Sequence, residues 1–196
     1  MKSILALLAD WANGIFAVLL AAAIVGIDPL WWHFVIGIVL AMSPDIDAIP
    51  ELLLRGKVAS SAEHMRDHRT FLHYPIISIP LCLLAWYSFG YWGLLWLIAL
   101  CLHLLNDLYG TGWGVALCYP FSYNRYKIEP HHIFGSKQIA QKEVFNSFTP
   151  AELEVRIREE GNENWVTDIY CTVNWISVTE YSLFILAVML MIFSLL

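Results

Sequence analysis

Five apolar stretches set the layout of this 196-residue chain and leave it few ways to fold outside a bilayer. They cover residues 3–26, 30–42, 74–89, 91–109 and 178–196. The first ends at Gly26-Ile27-Asp28-Pro29, a strong helix breaker. A spanning helix takes about 20 residues, so a shallow or re-entrant placement stays open for the second, third and fifth stretches. Composition agrees with the pattern: 59% of residues are apolar and 14% charged, with a mean hydropathy of +0.60, whereas a soluble domain carries about 25% charged residues. Nine Trp and nine Tyr suit the aromatic belts of a bilayer protein. A formal charge of −6 argues against a nucleic-acid partner. Cys82, Cys101, Cys118 and Cys171 are scattered and read as small, mostly buried hydrophobes rather than as a disulfide framework or a zinc site. Lys2 and Ala21–Ala23 imitate a signal peptide, but Asp10, Trp11 and Asn13 interrupt the run, and the stretch reads as a retained helix.

The expected fold is all-α, a polytopic helical bundle of about five membrane-embedded helices. Residues 1–128 form the membrane-embedded domain, 129–177 a cytoplasmic polar segment, and 178–196 a C-terminal span. Within the polar segment, Thr149-Pro150-Ala151-Glu152 reads as a capping box that opens a helix running to about Glu160, with Gly161 ending it. Five crossings place all eleven Lys and Arg residues on one side, which the positive-inside rule assigns to the cytoplasm of a cell's inner membrane. A re-entrant second stretch would reverse that sidedness.

Ionisable residues break this apolar background at a few places. Asp10 lies inside the first stretch, where a carboxylate is costly unless it is paired or used. Asp45 and Asp47 sit between Pro44 and Pro50, a rigid setting that aims two carboxylates at one cation. His64, His68 and His73 follow; His68 and His73 converge more naturally if the chain bends between them, at the entry to the third stretch. His103 and Asp107 stand four apart on the fourth apolar helix, one face, with Gly110-Thr111-Gly112 beyond them as a turn allowing close backbone approach. The five-crossing layout puts Asp10, Asp45, Asp47, His68, His73, His103 and Asp107 at one depth. These seven are the candidate metal ligands, with His64 in reserve. Imidazoles and carboxylates together suit zinc first, then manganese, iron or magnesium, and their number allows a binuclear site.

The order Pro44-Asp45-Ile46-Asp47, His68-Arg69-Thr70-Phe71-Leu72-His73, His103-Leu104-Leu105-Asn106-Asp107, then Gly112 through Pro120-Phe121-Ser122, resembles the bacterial and archaeal inner-membrane family of YdjM-like metal-dependent hydrolases. The resemblance covers about residues 1–128; the remainder reads as particular to this chain. Family members carry a histidine where this chain has Asp10, so Asp10 is proposed on its own chemistry. Thr70 and Leu72 replace the family's usual Gly and Thr, which bears on the hydrogen bonds around the ligands. The resemblance implies a metal-dependent hydrolase. A bound metal would activate water, Asp107 or Asp45 would act as general base, and Arg69 would neutralise an oxyanion. A site at the lipid interface points to an amphiphilic substrate such as a phospholipid or lipid-linked phosphoester. Two other functions compete: a membrane anchor that binds a protein partner and holds a structural metal, and a metal-ion transporter.

Overall fold

A computed structural model describes residues 2–56, 58–61, 63, 68–129 and 144–196. Its helices are α1 (Leu8–Val25), α2 (Trp31–Ala41), α3 (Ile49–Arg55), α4 (Pro75–Phe89), α5 (Tyr91–Tyr109), α6 (Pro150–Glu160), α7 (Trp165–Tyr170) and α8 (Trp175–Leu195). Short 3₁₀ turns cover Lys2–Leu7, Pro44–Ala48 and Phe71–His73. Strands β1 (Arg125–Ile128) and β2 (Phe145–Phe148) form a two-stranded antiparallel sheet with Arg125 opposite Phe148. The polar segment is therefore not purely helical, as the all-α expectation had it. Both strands are four residues long, too short for a pattern of period two to stand out among their polar neighbours.

Three helical runs, Ile4–Val25, Tyr91–Tyr109 and Trp175–Leu195, are long and apolar enough to cross a membrane. The α2 helix and the helical run Pro44–Arg55 meet at a 47° bend and count as a fourth if taken as one broken span. The bend falls between Ala41 and Pro44, where the proline has no N–H to continue the helix. Helix α4, the third apolar stretch, has 15 residues and is shorter than a full crossing.

Helix α1 is the centre of the bundle and packs against α2, α5 and α8. Its buried face is made of small residues, among them Ala12, Gly14, Ala17, Ala21 and Ala22. Lipid tails are as apolar as leucine, so helices in a bilayer associate through close backbone packing over such residues. The α1–α2 crossing shows why glycine is required there. A Cβ on Gly14 would lie 2.5 Å from Ile38 Cα, and one on Gly37 would lie 2.5 Å from Val18 Cγ2. Large side chains turn outward on α8, where Ile185, Met189, Ile192 and Phe193 are exposed to the surroundings. All four cysteines are free; Cys82 is buried, but Cys101, Cys118 and Cys171 are exposed. Burial was the wrong expectation for these three: Cys101 turns outward on α5, where an apolar thiol needs no shelter from lipid, and Cys118 and Cys171 lie in the polar segment between the last two spans.

The predicted capping box is present. Thr149 Oγ1 accepts from Glu152 N at 3.3 Å, and Thr149 N donates to Glu152 Oε2 at 2.8 Å. Gly161 ends α6 for a packing reason: a Cβ there would collide with Ile157 O and with the Ser60–Ser61 backbone. That contact docks the end of α6 on the loop after α3. Around it, Trp165 Nε1 donates to Val58 O at 2.8 Å, Ser61 Oγ donates to Glu163 Oε1 at 2.5 Å, and Arg55 pairs with Glu163.

Candidate metal centre

Asp10 lies in the first turn of α1, and His103 and Asp107 in the last two turns of α5. Antiparallel packing of the two helices brings these ends together. His103 Nδ1 meets Asp10 Oδ1 at 2.7 Å, with both side chains buried. The Pro44–Ala48 turn follows α2 at the same end of the bundle and carries Asp45 and Asp47. The segment leading into α4 closes the group. The chain bends after His68 and makes the Phe71–His73 turn, which leaves the His68 and His73 rings 5.6 Å apart.

The far nitrogens of two histidines and one oxygen from each of two carboxylates converge. His73 Nε2 is 3.4 Å from His103 Nε2. Asp45 Oδ1 lies 3.5 Å from the first and 3.7 Å from the second. Asp107 Oδ2 lies 3.5 Å and 3.6 Å from the same two atoms. These are two triangles sharing the His–His edge. The centre of a triangle with sides of 3.4–3.7 Å is about 2.0 Å from each corner, the length of a zinc bond to nitrogen or oxygen. The residues therefore fit a divalent ion on distance as well as on donor chemistry. Asp107 adds a second sign. Its Oδ1 takes Arg69 Nε at 2.8 Å and Nη2 at 2.7 Å, while its buried Oδ2, facing the histidines, has no hydrogen-bond partner among the described residues. A third group, Asp45, His68 and His73, also gathers one ligand atom each within 4.8 Å. Burial opposes a charge on His73, yet the Asp45 and Asp47 carboxylates beside it prevail and raise its pKa above the ordinary histidine value.

Both central histidines have a carboxylate at the opposite nitrogen. Asp10 holds His103 Nδ1, and Asp47 Oδ2 lies 3.4 Å from His73 Nδ1. Thr70 Oγ1 and Leu72 N also donate to Asp47 Oδ2, at 3.2 and 3.0 Å. Of the two positions that depart from the family's usual pattern, Thr70 thus acts on the carboxylate behind His73 through its side chain, and Leu72 through a backbone N–H that any residue but proline would supply.

Arg69 forms the border between this cluster and a cavity of about 360 Å³. Its guanidinium also donates from Nη2 to Thr111 O at 3.2 Å. Gly112, at φ +95°, makes the room: a Cβ there would overlap the guanidinium. On the far side of the Gly110–Gly112 turn, Lys127 Nζ donates to Gly110 O at 2.8 Å. Burial, with Arg69 close by, pushes the Lys127 pKa down to about 8. Arg156 stands on the opposite wall in a two-pronged pair with Glu129 at 2.6 and 3.0 Å, and also holds Glu160 at 2.8 Å.

The family model for the YdjM inner membrane protein matches residues 10–195. The chain belongs to the YdjM inner membrane protein family. Comparison with curated proteins and with solved structures gives no match. With this family and its long apolar helices, the chain is a membrane protein. The family match runs well past residue 128, where the resemblance of the motifs ends. The later segment is thus part of the family's sequence rather than particular to this chain, and Glu129, Arg156, Glu160, Asn162 and Trp165 line the cavity.

All seven residues singled out as ligands lie in this one cluster, but at different distances from its centre. Asp45, His73, His103 and Asp107 surround it; His68 flanks it through Asp45 at 3.4 Å; Asp10 and Asp47 lie at the Nδ1 sides of the histidines, and Asp10 also gathers with Asp45 and His103 as a possible ligand group. His64 lies outside the described residues. Sequence reasoning passed over Glu180, which belongs to the fifth apolar stretch. It is 1% exposed, accepts from Tyr170 Oη at 2.7 Å, and its Oε1 has no hydrogen-bond partner among the described residues. The signal was available: an ionisable residue near the start of a span is rarely accidental. Lys127 and Glu129 had no signal of their own, since either could have been a solvated residue of a polar loop.

Proposed function

We propose that this chain is a membrane-embedded, metal-dependent hydrolase acting on a lipid or lipid-linked phosphoester at the cytoplasmic interface. The observation that carries the reading is the pair of His–His–carboxylate triangles on one shared His–His edge, four ligand atoms of a size to take one divalent ion. Asp45, His73, His103 and Asp107 would hold it, and Asp45, His68 and His73 offer a second seat. Two imidazoles with carboxylates favour zinc, with iron or manganese as alternatives. Such an ion supplies a Lewis acid and brings the pKa of water down toward neutrality.

The chain's own groups divide the remaining work. Asp10 and Asp47 hold His103 and His73 in one tautomer and one ring orientation, as carboxylates behind ligating histidines do. Asp107 is 6% exposed on its side chain and tied to Arg69, while Asp45 is 31% exposed. Asp45 is therefore the better general base of the two, through the carboxylate oxygen not turned to the ion, because its side chain is the more open to a water entering from outside. Arg69, fixed by Asp107 and Thr111, faces the cavity and is placed to neutralise an oxyanion. In the five-crossing arrangement, the distribution of Lys and Arg turns this end of the bundle to the cytoplasm.

The ligand groups share one end of the helices rather than stepping through the bilayer, which favours surface chemistry over transport. Metal analysis of the purified protein beside Asp45→Ala, His73→Ala and His103→Ala tests the centre. The wild type should retain metal and each variant should lose it. A screen of phospholipids and lipid phosphomonoesters should then show turnover that a chelator abolishes and zinc restores. Bound metal with no turnover on any of them would favour the structural-metal anchor instead.

A further inference from the structure

The cavity beside Arg69 holds a charge that the metal centre does not use, that of Lys127. Lys127 is 9% exposed. Among the described residues its hydrogen-bond partner is Gly110 O, which takes one of three ammonium protons and caps the end of α5. Arg69 approaches the same Gly110–Gly112 turn and donates to Thr111 O. Two buried cations thus flank one short glycine turn, and both line the cavity. Among the described residues the acidic groups in its wall, Glu129 and Glu160, are both held by Arg156. Arg69 is matched by Asp107, whereas Lys127 makes no ion pair among the described residues and feels Glu129 and Asp107 only at longer range; an anion beside it would offset the cost of its burial.

We propose that this cavity binds the phosphoryl group of the substrate, with Lys127 and Arg69 holding the oxyanion above the Gly110–Gly112 turn. Three observations support that ligand. The volume, about 360 Å³, falls within the usual range for a small-molecule pocket, about 300–1,000 Å³. Gly110 caps the span Tyr91–Tyr109, and Ile176, in the first turn of the span Trp175–Leu195, lines the cavity as well. The pocket therefore lies at the ends of two membrane helices, at headgroup level. His68 and Arg69 connect it to the metal cluster without an intervening layer. Lys127 is a binding residue here, one that no metal-ligand pattern would reveal. The assignment deepens the hydrolase reading and rests on it for the identity of the ligand as substrate; anion binding itself does not.

The test uses the full chain in detergent micelles, stripped of metal with a chelator, and measures binding of inorganic phosphate by calorimetry and by thermal shift. Lys127→Met removes a desolvated charge and is expected to fold, which monodisperse elution checks. It should weaken phosphate binding about tenfold or more, the worth of a charge-assisted hydrogen bond. Lys127→Arg should recover most of the affinity. Arg158→Gln, on an exposed side chain, should leave it unchanged. Phosphatidic acid in mixed micelles displaces inorganic phosphate if the pocket serves a lipid headgroup, and fails to do so if it serves free phosphate. The proposal is overturned if Lys127→Met binds phosphate as the wild type does, or if binding requires added metal and ignores Lys127; the hydrolase reading would survive either result. Lys127-dependent binding without turnover on any phosphoester would sink the hydrolase reading and leave the anion pocket standing.

Discussion

Replacing Asp10 with asparagine separates two roles that the same carboxylate could play. The Asp10 Oδ1 to His103 Nδ1 bond is 2.7 Å long, and both side chains are buried. Asparagine keeps the shape and retains a carbonyl acceptor, but removes the negative charge that makes His103 a stronger ligand. A buried hydrogen bond to a charged group contributes about 1.5–3 kcal/mol, and each 1.4 kcal/mol is roughly a factor of ten in affinity. Asp10→Asn should therefore weaken zinc binding about ten- to a hundredfold, in line with the usual cost of losing the carboxylate behind a histidine ligand. His103→Ala should abolish high-affinity binding. The assay is competition with a chromophoric zinc chelator, on protein in detergent. An affinity equal to the wild type would refute the orienting role. A loss as complete as that of His103→Ala would make Asp10 a direct ligand.

Further consequences follow from single contacts. Gly112→Ala should destabilise the protein by at least about 2 kcal/mol, because its φ of +95° is strained for alanine and the methyl would displace the Arg69 guanidinium; thermal unfolding in detergent reads the loss. Gly14→Val should cost about 1–3 kcal/mol or more by forcing α1 and α2 apart, since even a bare Cβ would sit 2.5 Å from Ile38 Cα. Tyr170→Phe removes the donor to buried Glu180 and should cost about 1–3 kcal/mol. In a Glu180→Leu background the same change should cost much less, and equal costs in the two backgrounds would show the pair uncoupled. Lys127 has its pKa lowered from 10.5 to about 8 in the folded protein, so between these values the unfolded chain binds more protons. Stability should rise with pH across that window, and Lys127→Met should flatten the rise relative to the wild type.

Much of the site was legible in the residue pattern, because charge inside an apolar stretch needs a reason. Asp10, His103 and Asp107 stood out on that ground alone, and the structure gathers them with Asp45, Asp47, His68 and His73. The capping box at Thr149–Glu152 was equally plain, since its bonds are made within four residues. Glu180 was visible by the same rule yet was passed over, as it stands only a few residues into its stretch. The two strands, Lys127 and Glu129 were not legible: what makes them matter is contact with the Gly110 turn and with Arg156, far away in the chain.

Sequence alone determined that this chain lives in a bilayer, because hydrophobic length and the spacing of polar interruptions are local properties that no tertiary contact can change. It also determined which side chains were available to a metal. Only the tertiary structure decided how those side chains share the work. The crossing of α1 with α5 set Asp10 behind His103 rather than beside it, and the bend before α4 did the same for Asp47 and His73. A difference of one bond length between holding an ion and holding its ligand depends on helix packing, and no spacing in the sequence records that.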